Sequence, residues 1–400
     1  MRPVCYLPLI AAVAGCESGR QVTQPPEASV NQATLQYTIT KLPNSLGGTV
    51  NRGTAINNQG LVAGFSNLAG NLTRHAALFR DGSIVDLGTL GGANCPECNS
   101  SVVWPGINNQ GLVVGIAETA DLDPLGEAWS CTAFFPSLTG HICRGFVWEA
   151  GQMTPLPTFG GNQGFATGIN GRGQVVGWAE TTVHDPTCNT PQVLQFRAGF
   201  WDTQLGTMNE LPPLHGDSTS AATAINEVGQ AVGISGDCDV AVGRFSARHA
   251  VLWDHGTVTE IANLGGTSWH TPMAISKKGD IVGFSNPPGD AGGIFIAHAF
   301  IWTKSRGIRD LKTLPGDATS QALGINSRGQ VVGFSTSATG VNRAFLWQEG
   351  KLMKLNDLVA PGFADSLVSA QDINESGQIT GRVFEKSSGK TLVFVATPIQ

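Results

Sequence analysis

The chain has 400 residues, of which 52 are glycine and only 14% are charged, against about 25% charged residues in an average soluble protein. The net charge of −6 comes with no basic run or patch, so nucleic acid is not an expected partner. Low charge, many glycines and 41% apolar residues favour an all-β protein with many tight turns.

The N-terminus has the pattern of a targeting signal. A short apolar run, Val4–Ala14, follows one arginine and ends in the letters VAGC at Val13–Cys16. A bilayer-spanning helix needs roughly 20 apolar residues, so this run is too short to be one. The pattern resembles bacterial lipoprotein signals, which implies cleavage before Cys16 and a lipid on Cys16; an ordinary signal peptide cut nearby is the alternative. We therefore expect a signal peptide at 1–15, a flexible tether at 16–35 and a folded domain at 36–400.

One ten-residue pattern returns along the rest of the chain. It contains an Ile-Asn pair, a glycine three residues later and a second glycine four residues after that, as in AINNQGLVAG at Ala55–Gly64. The asparagine, which one copy replaces by serine, recurs about every fifty residues, a period typical of repeat folds. Its seven positions are Asn57, Asn108, Asn170, Asn226, Ser276, Asn326 and Asn374.

Each repeat unit contains four strand-like segments. In the sixth unit they are Ala322–Asn326, Gly329–Ser335, Arg343–Trp347 and Lys351–Leu355. We expect the asparagine side chain to accept a backbone N–H two residues on, and the first glycine to adopt positive φ, so that the chain returns as a hairpin. The second glycine is expected to allow a bend or a close approach of another backbone.

Four short antiparallel strands per unit are the signature of propeller blades. The last unit has three strands before the chain ends, whereas an additional strand, Gln36–Leu42, precedes the first unit. We expect this N-terminal strand to complete the last blade and remove an open sheet edge. The sequence thus predicts an all-β, seven-bladed β-propeller of four-stranded antiparallel blades, closed by its N-terminal strand.

The third strands and the links between units carry a resemblance to a known family. The segment HAFIW at His298–Trp302, its variants in other units, and DLGTLGG at Asp86–Gly92 resemble the HAF-repeat proteins of bacteria. The resemblance extends over residues 37 to about 397. It implies an exported, propeller-like protein, and it supplies no catalytic residues because the family has no assigned function.

Six cysteines remain after the signal, and an even number in an exported chain suggests disulfides. The expected pairs are Cys95–Cys98, Cys131–Cys143 and Cys188–Cys238, the last joining the third and fourth units. A zinc site of the first four thiolates is the alternative, which an oxidising compartment disfavours. The acidic segment Asp121–Glu127 lacks an oxygen ligand at Leu125, so we expect a solvated loop there rather than a calcium site. No metal or other cofactor is expected.

Two functions remain open from the sequence. The favoured one is a monomeric, non-catalytic binding or scaffold module that recognises an envelope protein or glycan. We expect it to contact the membrane only through its lipid, which in a two-membrane bacterium would lie in the outer membrane. The alternative is a propeller enzyme that hydrolyses or cleaves glycans in the central funnel. Such an enzyme needs converging carboxylates, and Asp217, Asp317 and Asp365 occupy similar positions in their units.

Strand order predicts that one face carries the function. The long connections between second and third strands share a face with the links between units, whereas the opposite face has only tight turns. Loops held by a rigid scaffold commonly carry binding residues. The ligand-binding candidates on these links are Trp269, His270, Asp217, Asp317 and Asp365. Trp269 is the first of them because it lies outside the repeated core positions; packing on a neighbouring blade is its alternative role.

Overall fold

The computed structural model describes residues 35–80, 82–127, 131, 133–239 and 243–399. The predicted signal peptide, the lipidation residue Cys16 and the tether up to residue 34 lie outside these ranges. Strands dominate the described part, together with three short 3₁₀ segments at Gly92–Asn94, Ala291–Gly293 and Leu355–Leu358. None of the described helices has the length and apolar character needed to cross a membrane.

The strands form antiparallel groups of four, and each group comes from one repeat unit. Units one to three contain β2 (Gly47–Ile56), β3 (Val62–Leu68), β4 (Arg74–Arg80) and β5 (Ser83–Asp86); β6 (Ser100–Ser101), β7 (Val113–Leu122), β8 (His141–Glu149) and β9 (Gln152–Pro155); and β10 (Gly160–Ile169), β11 (Gln174–His184), β12 (Leu194–Asp202) and β13 (Thr207–Leu211). Units four and five contain β14 (Thr219–Ile225), β15 (Ala231–Gly236), β16 (His249–Asp254) and β17 (Thr257–Ile261); and β18 (Thr271–Ile275), β19 (Ile281–Ser285), β20 (His298–Thr303) and β21 (Gly307–Lys312). Units six and seven contain β22 (Asp317–Ile325), β23 (Val331–Ser337), β24 (Asn342–Gln348) and β25 (Lys351–Lys354); and β26 (Ser366–Ile373), β27 (Ile379–Glu385), β28 (Lys390–Pro398) and the N-terminal β1 (Tyr37–Leu42).

The N-terminal strand completes the last unit, as predicted. Strand β1 pairs antiparallel with β28, from Tyr37 opposite Pro398 to Leu42 opposite Val393. Tyr37 is fully buried in an apolar cluster with Phe394 and Ile379, and burial raises the pKa of its hydroxyl to about 12. A single parallel bridge between Val50 and Thr391 joins β2 to β28, so units seven and one belong to one eight-stranded sheet.

Side chains between neighbouring sheets form the core. The second strand of each unit contains a run of at least three buried residues, and β23 for example begins with the buried pair Val331 and Val332. The tryptophans that end the third strands pack between sheets, as expected. Trp253 is 2% exposed and its Nε1 donates to the Pro212 carbonyl at 2.7 Å. Pairing the indole N–H in this way removes the cost of burying a polar group with the ring.

The recurring asparagine closes the turn after the first strand. Asn57 Oδ1 accepts the N–H groups of Gln59 and Leu61 at 3.1 and 3.0 Å, and Gly60 has a φ of +80°. The predicted turn chemistry is therefore confirmed. In the fifth unit the Ser276 hydroxyl accepts the equivalent N–H groups of Lys278 and Asp280.

The same asparagine also bonds to the next unit, which the sequence did not predict. Its Nδ2 donates to the backbone carbonyl of the equivalent residue, at distances of 3.0 to 3.3 Å. The bonds run from Asn57 to Asn108, from Asn108 to Asn170, from Asn170 to Asn226, from Asn226 to Ser276, from Asn326 to Asn374 and from Asn374 to Asn57. The step from Ser276 to Asn326 has no such bond because serine carries no amide donor. We call these bonds the asparagine chain.

The second glycine allows a close backbone approach. A Cβ added at Gly333 would lie 1.9 Å from the Gln321 carbonyl oxygen, and one at Gly64 would lie 1.9 Å from the Arg52 carbonyl oxygen. The first strands are irregular opposite these glycines, for example between Ala322 and Gly324. Such a bulge redirects the side chain of the extra residue. Glycine is therefore required at this position in each unit for a steric reason.

The two faces of the molecule differ in loop length. The long-loop face carries the connections between second and third strands, which are longest in units two to five, at 123–140, 185–193, 237–248 and 286–297. The short-turn face carries the asparagine turns. On that face a cavity of about 160 Å³ is lined by isoleucines from every repeat unit. They are Ile56, Ile107, Ile169, Ile225, Ile275, Ile325 and Ile373.

Candidate functional site

A cavity of about 350 Å³ opens where units one, two, five, six and seven meet, on the side of the long loops. We call it the funnel pocket. Its wall contains four aromatic side chains and two arginines, together with smaller apolar and amide groups. The aromatic and charged members are Trp104, Phe134, Phe284, Phe334, Arg52 and Arg382. The volume falls at the lower end of the range of about 300 to 1,000 Å³ that is typical of small-molecule sites.

Equivalent positions of the repeat supply most of this wall. Arg52 and Gln321 each lie five residues before the asparagine of their unit, whereas Met273, Leu323 and Gln371 lie three residues before it. The latter three are the extra residues of the first-strand bulges. The bulges thus explain why side chains from several units reach one pocket.

The aromatic wall is held by packing and by a disulfide. Trp104 contacts Phe134 edge to face at 5.4 Å, and Phe134 stacks on Phe165 at 5.1 Å between ring centroids. Phe134 belongs to the long connection of unit two, which the Cys131–Cys143 disulfide ties to β8. Such support keeps the half-buried Phe134 side chain in place.

The cationic side of the pocket consists of Arg52 and Arg382, with Arg74 behind them. The guanidinium carbons of Arg52 and Arg74 lie 4.9 and 3.7 Å from the centroid of the same Phe65 ring. Burial and then repulsion by the neighbouring arginines lower the pKa of Arg52 to about 9 and that of Arg74 to about 10. Burial also lowers the pKa of Arg382. All three guanidiniums still carry their charge at neutral pH.

The three arginines differ in their partners. Arg74 donates to the Asn67 side-chain oxygen at 3.0 Å and to the Phe134 carbonyl at 2.7 Å, both of them neutral acceptors. The Nε atoms of Arg52 and Arg382 are buried and have no acceptor among the described residues. No described carboxylate forms an ion pair with any of the three. The pocket therefore holds half-buried positive charge that no described carboxylate neutralises.

The sequence contained a signal for these two arginines, which our sequence reasoning missed. At the position of Arg52 the other units have uncharged residues: Val103, Phe165, Ala221, Thr271, Gln321 and Ser369. At the position of Arg382 they have Phe65, Ile116, Trp178, Ile234, Phe284 and Phe334. A comparison of the copies column by column therefore singles out Arg52 and Arg382.

Trp269 and His270 lie on the long-loop face but outside the lining of the funnel pocket. Trp269 is half-buried, contacts Phe295 edge to face at 5.4 Å and donates its Nε1 to the Gly293 carbonyl at 3.0 Å. His270 is 1% exposed, and its two ring nitrogens lie 2.8 Å from Ser285 Oγ and 3.2 Å from the Gly266 carbonyl. Burial lowers its pKa. These contacts hold the loop of unit five to its own sheet.

The three predicted aspartates each bond within their own sheet. Asp217 accepts the Ser235 hydroxyl at 2.6 Å, Asp317 pairs with Arg343, and Asp365 accepts Lys41 at 3.0 Å. None of them lines the funnel pocket, and no described contact joins one to another. Their shared position in the repeat is therefore used for local ion pairs and hydrogen bonds.

The three predicted disulfides are present, as Cys95–Cys98, Cys131–Cys143 and Cys188–Cys238. Cys188–Cys238 joins the long connections of units three and four, where the Asn189 N–H also donates to the Asp239 carbonyl at 2.6 Å. His141 Nε2 lies 3.5 Å from Cys95 Sγ, but a disulfide sulfur is not the thiolate that zinc requires.

The acidic segment Asp121–Glu127 is largely exposed, as predicted, except for its last residue. Glu127 is fully buried, and its Oε1 accepts the N–H of Val193 at 2.7 Å as well as that of Leu194. Gln192 Nε2 lies between Glu127 and Glu180, at 2.9 Å from Glu180 Oε1. Burial and the nearby Glu127 charge raise the pKa of Glu180 to about 8. Glu127 alone is buried, because its carboxylate accepts N–H groups from the loop of unit three.

A larger cavity of about 570 Å³ lies between units two and three on the short-turn face. Polar uncharged side chains such as Gln110, Gln152 and Thr203 line it, and Glu149 is its one charged lining residue. Most of its polar groups are free to meet solvent. It lacks the combination of aromatic walls and half-buried arginines that characterises the funnel pocket.

Solved structures are similar to this chain at low sequence identity. Oligogalacturonate lyase from Vibrio parahaemolyticus is 12% identical, with a TM-score of 0.52 over 91% of this chain and 97% of the lyase. Acylaminoacyl peptidase from Pyrococcus horikoshii is 11% identical, with a TM-score of 0.49 over 89% of this chain, which spans about half (52%) of the peptidase. TolB from Acinetobacter baumannii is 11% identical, with a TM-score of 0.42 over 88% of this chain and 65% of TolB.

Neither a protein family nor a curated protein matches the sequence. The structural neighbours are propeller proteins, and at these identities the likeness concerns the fold alone. The chain is therefore an all-β, propeller-like protein built from four-stranded antiparallel sheets.

Proposed function

We propose that this protein is an exported, lipid-anchored, seven-bladed propeller of the HAF-repeat type that acts as a non-catalytic binding module at the cell envelope. The funnel pocket on its long-loop face is the binding site. The observation that carries the proposal is the composition of that pocket: aromatic walls and unneutralised arginines, positioned by a repeat scaffold that does not itself need them.

Two features support a closed ring of seven blades. The asparagine chain returns from Asn374 to Asn57, so it links the last unit to the first. Isoleucines from all seven repeat units also line one cavity on the short-turn face, a convergence that a linear stack of sheets would not give. A closed ring leaves only short, protected sheet edges, which suits a protein that functions outside the cell.

Export is supported by the cysteines and by the N-terminal sequence. Three disulfides in one chain are typical of oxidising compartments. Replacing Cys16 by Ser and fractionating the cells tests the anchor. The variant should lose lipid processing and leave the membrane fraction, and retention there in processed form would contradict the proposed lipid anchor.

The alternative function is cleavage of glycans, an activity class to which oligogalacturonate lyase belongs. A paired-carboxylate mechanism requires an acid and a base at the substrate, and the described lining of the funnel pocket contains no carboxylate. Binding is therefore the function that this lining supports better. Incubation with oligogalacturonate and neutral glycans, followed by measurement of new chain ends, distinguishes the two, because catalytic release of products would favour the enzyme.

A glycan array with the oxidised chain 17–400 tests the binding function. We expect binding to at least one glycan class, with at least a tenfold loss in Phe134→Ala and no loss in Val228→Ala. Val228 is 55% exposed on the short-turn face, so its variant is a matched control that removes apolar surface elsewhere. Binding to no glycan, or loss of binding in Val228→Ala alone, would refute the proposed site.

A further inference from the structure

We propose that the ligand of the funnel pocket is an acidic sugar, whose anionic group is held by Arg52 and Arg382. This inference rests on the proposed binding function and adds the chemical class of the ligand. It is carried by the arrangement of charged, aromatic and amide groups around one cavity.

The first step of the argument concerns charge. A buried ion is costly unless a counter-charge or strong hydrogen bonds compensate it, and guanidinium groups close to one another add repulsion. Arg52 and Arg382 have buried Nε donors without an acceptor among the described residues, and Arg74 has only neutral acceptors. A bound anion would supply the missing acceptors, and a guanidinium can hold a carboxylate or sulfate through two parallel hydrogen bonds.

The second step concerns the origin of the arginines. Neither residue is required by the repeat, because the equivalent positions of six other units are uncharged and pack well. Arg52 belongs to unit one and Arg382 to unit seven, so the two positively charged exceptions are adjacent where β2 and β28 join the two units. Positive charge has thus been placed at one point of the scaffold at a cost in stability, as expected of a binding site.

The third step concerns the rest of the ligand. An inorganic anion alone would leave the aromatic side of the pocket unused, because Trp104, Phe134 and Phe334 present apolar surface to the cavity. The amides of Gln321 and Gln371 provide donors and acceptors beside that surface. A sugar ring has both an apolar C–H face, which packs on aromatic rings, and hydroxyl groups, which bond to amides. A cavity of about 350 Å³ accommodates one hexose-sized ring rather than a long chain.

Isothermal titration of the oxidised chain 17–400 tests the assignment. The probes are a glucuronate disaccharide and a galacturonate disaccharide, a neutral glucose disaccharide, a sulfated monosaccharide and inorganic phosphate. At least one acidic sugar should bind, its neutral counterpart at least tenfold more weakly, and affinity should fall as salt increases. Arg52→Gln and Arg382→Gln should each weaken binding at least tenfold. Arg172→Gln, which removes an exposed charge from the short-turn face, should leave it unchanged.

Stability measurements on the same variants separate a binding role from a structural one. Without ligand, Arg52→Gln and Arg382→Gln should melt at the same temperature as the parent chain or higher, because each relieves repulsion between guanidiniums. A marked drop in melting temperature would mean that the arginines support the fold instead.

Three outcomes would overturn the inference. If phosphate binds as tightly as every acidic sugar and Phe134→Ala does not weaken binding, the pocket is a simple anion site and not a sugar site. If neutral glycans bind as tightly as acidic ones and neither arginine variant weakens their binding, the ligand needs no anionic group. That result would refute the inference but leave the proposed binding function standing. Absence of binding by every acidic sugar, in a chain that binds other glycans on the array, would refute the ligand class alone.

Discussion

Replacing Asn374 separates the two roles of the recurring asparagine. Its Oδ1 accepts the N–H groups of Ser376 and Gln378 at 3.1 and 2.9 Å, which closes the turn within unit seven. Its Nδ2 donates to the Asn57 carbonyl at 3.0 Å, which links unit seven to unit one. Asn374→Ser should keep the first function and lose the second, as Ser276 does in unit five. Asn374→Ala should lose both.

The magnitudes follow from the bonds that each variant removes. Asn374→Ser loses two Nδ2 bonds, one to Gln378 Oε1 at 2.9 Å and one to the Asn57 carbonyl. That carbonyl still accepts the Gly60 N–H at 3.0 Å, so it is not left unsatisfied. At about 1 kcal/mol of unfolding free energy per net hydrogen bond, the loss of both should cost about 2 kcal/mol. Asn374→Ala also leaves two turn N–H groups without their acceptor, each at a cost of about 1 to 3 kcal/mol, so its total loss should be about 4 to 8 kcal/mol.

Equilibrium urea unfolding, followed by tryptophan fluorescence, measures both losses under identical oxidising conditions. Ser276→Asn is the reciprocal variant: it adds the missing amide donor opposite the Asn326 carbonyl and should increase stability by up to about 1 kcal/mol. If Asn374→Ser unfolds like the parent chain while Asn374→Ala is strongly destabilised, the link between units contributes nothing and only the turn matters. If both variants are nearly neutral, the whole account of the asparagine is refuted.

Three further predictions concern glycine, acid–base and disulfide effects. In thermal unfolding, Gly333→Ala should lose several kcal/mol of stability because its Cβ would meet the Gln321 carbonyl, whereas Gly340→Ala, in an open turn, should lose only about 1 kcal/mol. Equal losses of stability would contradict the steric argument. Between its ordinary pKa and its folded value of about 8, Glu180 binds more protons in the folded state than in the unfolded state, so its contribution to stability should fall as pH rises, by at most about 1.4 kcal/mol per pH unit. The stability of Glu180→Gln should therefore decline less than that of the parent chain between pH 5 and 8, and parallel stability profiles would contradict the raised pKa. Removing Cys188–Cys238, which closes a segment of 50 residues, should lower the unfolding free energy measured by calorimetry by about 2 to 4 kcal/mol, clearly more than removing the three-residue Cys95–Cys98 link. The reverse order would count against loop closure as the cause.

The sequence alone determined the parts of the fold that local chemistry controls. An asparagine followed by glycine three residues later predicts a tight hairpin turn because the side chain and the positive φ act within a few residues. The spacing of these turns fixed the repeat unit and its strands, and the surplus strand at Tyr37–Leu42 matched the missing strand of unit seven. The cysteine pairs were also predictable, because the repeat places each pair on connected or neighbouring loops.

Only the tertiary structure decided which residues meet. Trp269 has the isolated position that suggested a binding residue, yet its Nε1 bonds to Gly293 in its own unit. Arg52 and Arg382 are separated by almost the whole chain, and they come together because β28 lies between their strands, paired with β27 along its length and with β2 at one bridge. The burial of Glu127 likewise depends on the loop of unit three. Periodicity reveals what every unit shares, whereas a pocket is built from the exceptions, whose proximity is set by packing between units rather than by local sequence.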